Sequence, residues 1–212
     1  IVPYYDRSEL VDSALWTVGK VLIEGIVLVV VVLLLFLGDV RSSLVVVATL
    51  VLTPLLTFFA MNRLGISANL MSLGGLAIAI GLMVDGSVVV VENAFAHLAR
   101  GESAGESRIG VIFGAVMEVA TPVIFGVGVI VLVFLPLMTL TGMEGKMFAP
   151  LAFTIAIALA FSLVLSLTLT PVLSAYLLKP KPAHDDEEHD TWLVRTLKRP
   201  YLAILRLSLI HI

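Results

Sequence analysis

The chain reads as an all-α membrane protein, a bundle of five transmembrane helices followed by a cytoplasmic amphipathic helix. Three observations say so. Of 212 residues, 59% are hydrophobic and 14% charged, with a mean hydropathy of +1.10; soluble domains run near 45–50% and 25%. Apolar runs recur at the roughly 20 residues a helix needs to cross a hydrocarbon core about 30 Å thick. Those runs, with Val27, Val29, Val30, Val31 and Val32 nearly consecutive, do not alternate as the strands of a membrane barrel do.

The same numbers exclude other classes. Thirteen Lys and Arg face sixteen Asp and Glu, a net charge of −3, so there is no basic excess to neutralise nucleic-acid phosphates. With no cysteine, disulfides, zinc thiolates and thiol catalysis are absent. No cofactor is expected.

Taken in order, residues 1–17 form a polar, periplasmic lead-in, and the spans are expected at about 18–37, 44–61, 70–91, 113–137 and 149–178. Polar connections fall at 38–43, 62–69, 93–108 and 139–148. Residues 179–191 are an acidic cytoplasmic linker. In 192–212, Trp192, Leu193, Leu197, Tyr201 and Leu205 recur at helical spacing among Arg195, Lys198, Arg199 and Arg206, which suits a membrane surface; Pro200 kinks or restarts that segment. Arg41, Arg100, Arg108 and the basic tail fall on one side, and Arg7, Lys20, Arg63 and Lys146 on the other. By the positive-inside rule the tail is cytoplasmic. A start at Ile1 on a polar stretch suggests a piece of something longer.

The third span carries the chemistry. Asp85 lies fifteen residues past Leu70, about 22 Å along the helix. A carboxylate at such depth costs at least about 2.5–3.5 kcal/mol on insertion scales. Low-dielectric surroundings favour the neutral form of a carboxyl, so a group placed there can take up and release protons. Glu92 follows at i+7 on the same face, about 10 Å away, with Asn93 beside it. Gly74, Ile78 and Gly81 continue the stripe, and Gly86 adjoins Asp85. Small residues let a neighbouring helix approach closely. The plainer reading, a carboxyl paired with a base for packing, needs a deep Lys or Arg. None lies in any of the five spans, so a partner has to come from outside the chain.

Other features favour bland readings. Lys20 and Glu24 are spaced as an i,i+4 pair. Glu118 is placed at an interface, though it has the reach to face Glu92. Pro54, Pro122, Pro136, Pro150 and Pro171 permit bends without implying motion. His184, Asp185, Asp186, Glu187, Glu188 and His189 resemble a metal-binding tract in composition but read first as a solvated linker. Met71 and Met83 are candidate ligands for a soft monovalent metal, although methionine is commoner as packing.

The block NLMSLGGLAIAIGLMVDGSVVVVEN, from residue 69, resembles the fourth transmembrane helix of resistance–nodulation–division (RND) efflux permeases. Asp-Gly at 85–86 is similar to the heavy-metal branch, where the multidrug branch shows two adjacent aspartates. LTGMEGKMFAPLAFT (140–154) resembles the link between the family's fifth and sixth helices. TLTPVLSAYLL (168–178) resembles the end of the sixth, and VPYYDRSELVDSAL the approach to the second.

The resemblance spans essentially the whole chain and implies helices two to six of a twelve-helix transporter built from two repeats. It implies a proton antiporter rather than an enzyme, in the bacterial inner membrane. The pump would be driven by the proton-motive force and export heavy-metal cations. Asp85 would stand in the proton relay, joined by Glu92 and Asn93, with Gly74, Gly81 and Gly86 packing around it. The relay's basic partner would come from the missing second half of the permease. A homotrimer, a periplasmic adaptor and an outer-membrane channel are the implied partners. Some divalent-metal members carry another aspartate earlier in this helix, and residues 77–81 have none. Met71 and Met83 are compatible with monovalent metals, yet Val90, Leu159 and Ser174 stand where further methionines would be sought.

A multidrug exporter is the nearest alternative. An intramembrane aspartyl protease would need a second deep aspartate and a Gly-x-Gly-Asp turn; Gly81-Leu82-Met83-Val84 precedes Asp85 instead. A lipid transporter or sterol-sensing domain is a third reading, which the 140–154 block opposes.

Overall fold

The computed structural model describes residues 7–101 and 107–178, together with 196 and 201. Five helices follow one another: α1 (Arg7–Leu37), α2 (Val40–Leu64), α3 (Leu70–Gly101), α4 (Arg108–Met138) and α5 (Gly142–Leu177). The fold is all-α, as expected. The linker and amphipathic tail, apart from Thr196 and Tyr201, lie outside the described residues, as do residues 1–6 of the lead-in.

The helices outrun the apolar stretches. α1 begins at Arg7 and α3 continues to Gly101, because polar residues at a membrane boundary end a hydrophobic run without ending a helix. Caps set the ends instead. The Asp39 carboxylate accepts from the backbone N–H of Ser42 at 3.2 Å and from its hydroxyl at 3.0 Å, opening α2. Gly65, at φ 69°, closes it. There the N–H of Ile66 reaches back to Met61 O at 2.9 Å, a left-handed termination that glycine adopts without strain. Asn69 and Ser72 exchange side-chain-to-backbone bonds at 2.9 Å each to open α3, and Ser107 caps α4.

Four helices, α2 to α5, contain stretches long and apolar enough to cross a membrane; α1 contributes the shorter apolar run Ile23–Leu35. Near the start of that run Lys20 and Glu24 pair at 3.7 Å on an exposed face, as their i,i+4 spacing predicts. All five expected spans fall on helices, the first of them, 18–37, within α1.

α3 is the hub and touches all four other helices, and α5 packs along α2, α3 and α4. Two apolar clusters fill the interior. Leu50, Leu76, Ala79, Ile80, Met83, Ile155, Ala158 and Leu159 form one. Val45, Val46, Val90, Val91, Leu98, Val111, Ile112 and Leu178 belong to the other. At Gly75 the α3 and α5 backbones meet: a Cβ there would stand 2.7 Å from the carbonyl oxygen of Leu151. Hydroxyls stitch α3 to both α5 and α2. Ser162 on α5 donates to Met83 O at 3.0 Å, and Thr49 on α2 donates to Ser87 Oγ on α3 at 3.1 Å. Both groups are buried, where a polar atom without a partner is costly.

Candidate functional site: the open stripe of α3

An α-helix places residues three and four apart on one face, and α3 uses this to present two different surfaces. Ser72, Leu76, Ala79, Ile80, Met83, Ser87, Val90, Val91, Ala94 and Leu98 are buried against the other helices. The opposite stripe runs Gly74, Ile78, Gly81, Asp85, Val89, Glu92. Gly81, Asp85 and Glu92 are exposed, as are Ile78 and Val89, at 49% and 42%. Nothing lies within 4 Å of where a Cβ would stand at Gly74 or Gly81. Asp85 sits halfway along α3, fifteen residues from Leu70 and sixteen from Gly101. A carboxyl thus marks the centre of a glycine-containing, otherwise apolar groove floor that none of the other four helices covers.

In sequence Asp85 lies on a face built for helix contact. Among the described residues no helix makes that contact. α1, α2, α4 and α5 all gather on the other side of α3, since the bulk of its apolar residues points that way. Gly86, expected beside the relay, faces inward: its Cβ would meet Val123 Cγ1 of α4 at 3.3 Å and Ser166 Oγ of α5 at 3.8 Å. One residue turns the helix about 100°, enough to carry it off the stripe.

Asn93 also parts from the group. Its Nδ2 donates to the Ala115 carbonyl of α4 at 2.8 Å and to Glu118 Oε2 at 3.3 Å. Glu118 in turn accepts from His97 Nε2 at 2.9 Å. Glu118 therefore faces Asn93 and His97, not Glu92. The sequence reading passed over His97. Its position four residues after Asn93, on the same helix face, was the available signal.

Met71 and Met83 do not converge. Met83 is buried in the core at 3% exposure, Met71 is half-buried, and twelve residues separate them, about 18 Å along the helix. Met61, another core methionine, receives the Thr154 hydroxyl on its sulfur at 3.8 Å. Among the described residues no three His, Asp or Glu side chains gather as metal ligands. What the open stripe presents is a single carboxyl midway along α3 among glycine and apolar residues.

Comparison with known proteins follows the same lines. The family model for the AcrB/AcrD/AcrF family matches residues 1–211. The cobalt-zinc-cadmium resistance protein CzcA of Cupriavidus metallidurans is 42% identical over 215 residues, 99% of this chain and 20% of that protein. The cation efflux system protein CusA of Escherichia coli K12 is 37% identical over 97% of this chain and 20% of its own length. The nickel and cobalt resistance protein CnrA of Cupriavidus metallidurans is 39% identical over 94% of this chain. A crystal structure of a heavy metal efflux pump superposes with a TM-score of 0.69 at 42% identity, covering 80% of this chain and 16% of that one. The chain spans about a fifth of the length of the curated relatives it matches.

Proposed function

Since the chain belongs to the AcrB/AcrD/AcrF family, as a multi-pass membrane portion of an RND permease of the heavy-metal efflux type, we propose that it forms part of a proton-driven exporter of heavy-metal cations in which Asp85 carries the coupling proton. One observation carries the reading: the carboxyl midway along α3 lies on a stripe that none of the other four helices covers. A charge facing hydrocarbon is expensive. The stripe therefore requires a covering surface from the remainder of the permease, and that surface supplies the basic partner of Asp85.

The mechanism follows from the carboxyl's two forms. Deprotonated, Asp85 attracts a cationic neighbour across the stripe. Protonated, it loses that attraction and the neighbouring surface shifts. Gly74 and Gly81 keep the floor low enough for a helix to slide or tilt against α3 without steric barrier. One proton moving down 100 mV delivers about 2.3 kcal/mol, and repacking of this interface passes that energy to the parts that handle substrate. The relatives named above support a metal cargo, being named for efflux or resistance to cobalt, zinc, cadmium and nickel. The exporter acts from the inner membrane as a trimer joined to a periplasmic adaptor and an outer-membrane channel.

The test is Asp85→Asn in the full-length permease reconstituted in vesicles, with metal efflux driven by an imposed pH gradient. Efflux should fall to the background of protein-free vesicles while the protein still assembles. Proton-coupled efflux that survives the substitution removes Asp85 from the relay.

A further inference from the structure

α4 and α5 leave a groove of about 970 Å³ between them, away from α3's open stripe. Along α4 it extends from Arg108 to Ile124, and along α5 from Leu167 to Tyr176. Sixteen residues of α4 span about 24 Å, more than one leaflet of a hydrocarbon core about 30 Å thick. The groove therefore runs lengthwise from the bundle's end toward its middle. Its walls are apolar, with Phe113, Met117 and Val172 among them, and Arg108 lies at its outer end.

Arg108 is the anomaly. Its Nε and one Nη are shielded from solvent and have no hydrogen-bond partner. Unsatisfied buried donors of this kind are rare and call for an explanation. Among the described residues no carboxylate lines the groove; Glu118, the acidic residue of α4, is turned toward Asn93 and His97 of α3. The groove thus has an unpaired guanidinium at the membrane boundary and a long apolar trough leading inward from it.

We propose that this groove binds an anionic phospholipid, its phosphate on the Arg108 guanidinium and its acyl chains along α4 and α5. Guanidinium matches phosphate geometry bidentately, and basic pockets between membrane helices hold anionic headgroups in this way. A zwitterionic lipid would bring an ammonium group that finds no carboxylate there, so the site selects net negative charge. The inference goes beyond the transport reading and rests only on the helices crossing a bilayer.

The test places photoreactive benzoylphenylalanine at Phe113 in the full-length permease. The protein is reconstituted in vesicles of phosphatidylcholine and phosphatidylglycerol at 4:1, irradiated, and its adducts are read by mass spectrometry. The phosphatidylglycerol-to-phosphatidylcholine ratio among the adducts should exceed the 1:4 ratio of the bilayer by about fivefold, the scale of one basic contact. The same photophore at Phe125, exposed but outside the groove, should report the bulk ratio. Arg108→Gln should abolish the enrichment and Arg108→Lys should keep most of it. Adducts at the bulk ratio at position 113, enrichment untouched by Arg108→Gln, or cross-linking to residues 192–212 of the same chain would each overturn the proposal. The protein with Arg108 intact decides the first and last of these even where Arg108→Gln fails to accumulate.

Discussion

One face of α3 is closed by backbone-to-backbone contact with α5 at Gly75; on the other, nothing among the described residues comes within 4 Å of where a Cβ would stand at Gly74 or Gly81. Both faces use glycine, and the use differs. At Gly75 the missing side chain is already filled by the Leu151 carbonyl, so the residue is part of a finished seam. At Gly74 and Gly81 the missing side chains leave room that is still vacant. Adjacent residues thus belong to two interfaces, one completed within this chain and one awaiting another surface. The carboxyl lies on the unfinished side. A packed core is bistable only at surfaces that can part, and the seam on the Ser162 side, with its inter-helical hydrogen bond and interlocked apolar residues, is the fixed frame against which the open side can move.

The largest effect that would break this contrast is on export. Asp85→Asn should eliminate proton-coupled efflux, whereas Glu92→Gln, at the end of the stripe and exposed, should leave most of it; equal losses would mean that depth along α3 does not matter. Next comes the glycine pair. Gly75→Ala should destabilise the full-length permease by about 1–3 kcal/mol, the range for overpacking, because the clash is with backbone rather than a movable side chain. That appears as a lowered thermal midpoint in detergent. Gly81→Leu should lower the midpoint less than Gly75→Ala but reduce efflux strongly, since it fills a surface that can part rather than the fixed seam. If Gly81→Leu lowers the midpoint as much as Gly75→Ala, both faces are structural and the distinction fails.

How far the sequence revealed this differs by residue. The helices and the stripe were legible because hydropathy and a 3.6-residue period are local properties: Gly74, Ile78, Gly81, Asp85 and Glu92 fall on one face wherever the helix packs. Which face of α3 the other helices cover was not legible, because it depends on where α5 lies, a non-local fact. Gly86 shows the limit. It looks like part of the Asp85 group in sequence, and only the positions of Val123 and Ser166 reveal that it packs inward. Asn93 and His97 were hidden for the same reason, as their shared partner Glu118 lies over twenty residues away. The helices run past the expected spans because apolarity stops at the membrane surface while capping by Asp39, Gly65 and Ser107 stops the helix elsewhere.

Smaller effects sharpen the contrast within the covered side. Ser162→Ala removes the hydroxyl that Met83 O accepts at 3.0 Å. Inter-helical hydrogen bonds of this kind in membranes average about 0.6 kcal/mol, so the midpoint should drop by only a degree or two, well short of Gly75→Ala. A larger drop would mean that hydroxyls rather than close backbone approach hold α3 to α5.

The smallest effect is expected at the α3–α4 end. Glu118 is 62% exposed where His97 reaches it at 2.9 Å, so water screens the pair and the coupling should be about 0.5 kcal/mol or less. A double-mutant cycle of His97→Ala and Glu118→Ala, read by thermal unfolding, isolates it. Asn93→Ala in the same background should cost more than either, because its bond to the Ala115 carbonyl at 2.8 Å ties it to backbone that no other side chain relieves. If the His97–Glu118 coupling instead exceeds that of the Ser162 bond, this end is as firmly closed as the α3–α5 seam. The movable part of α3 would then be confined to the stripe around Asp85, with both of its flanks clamped.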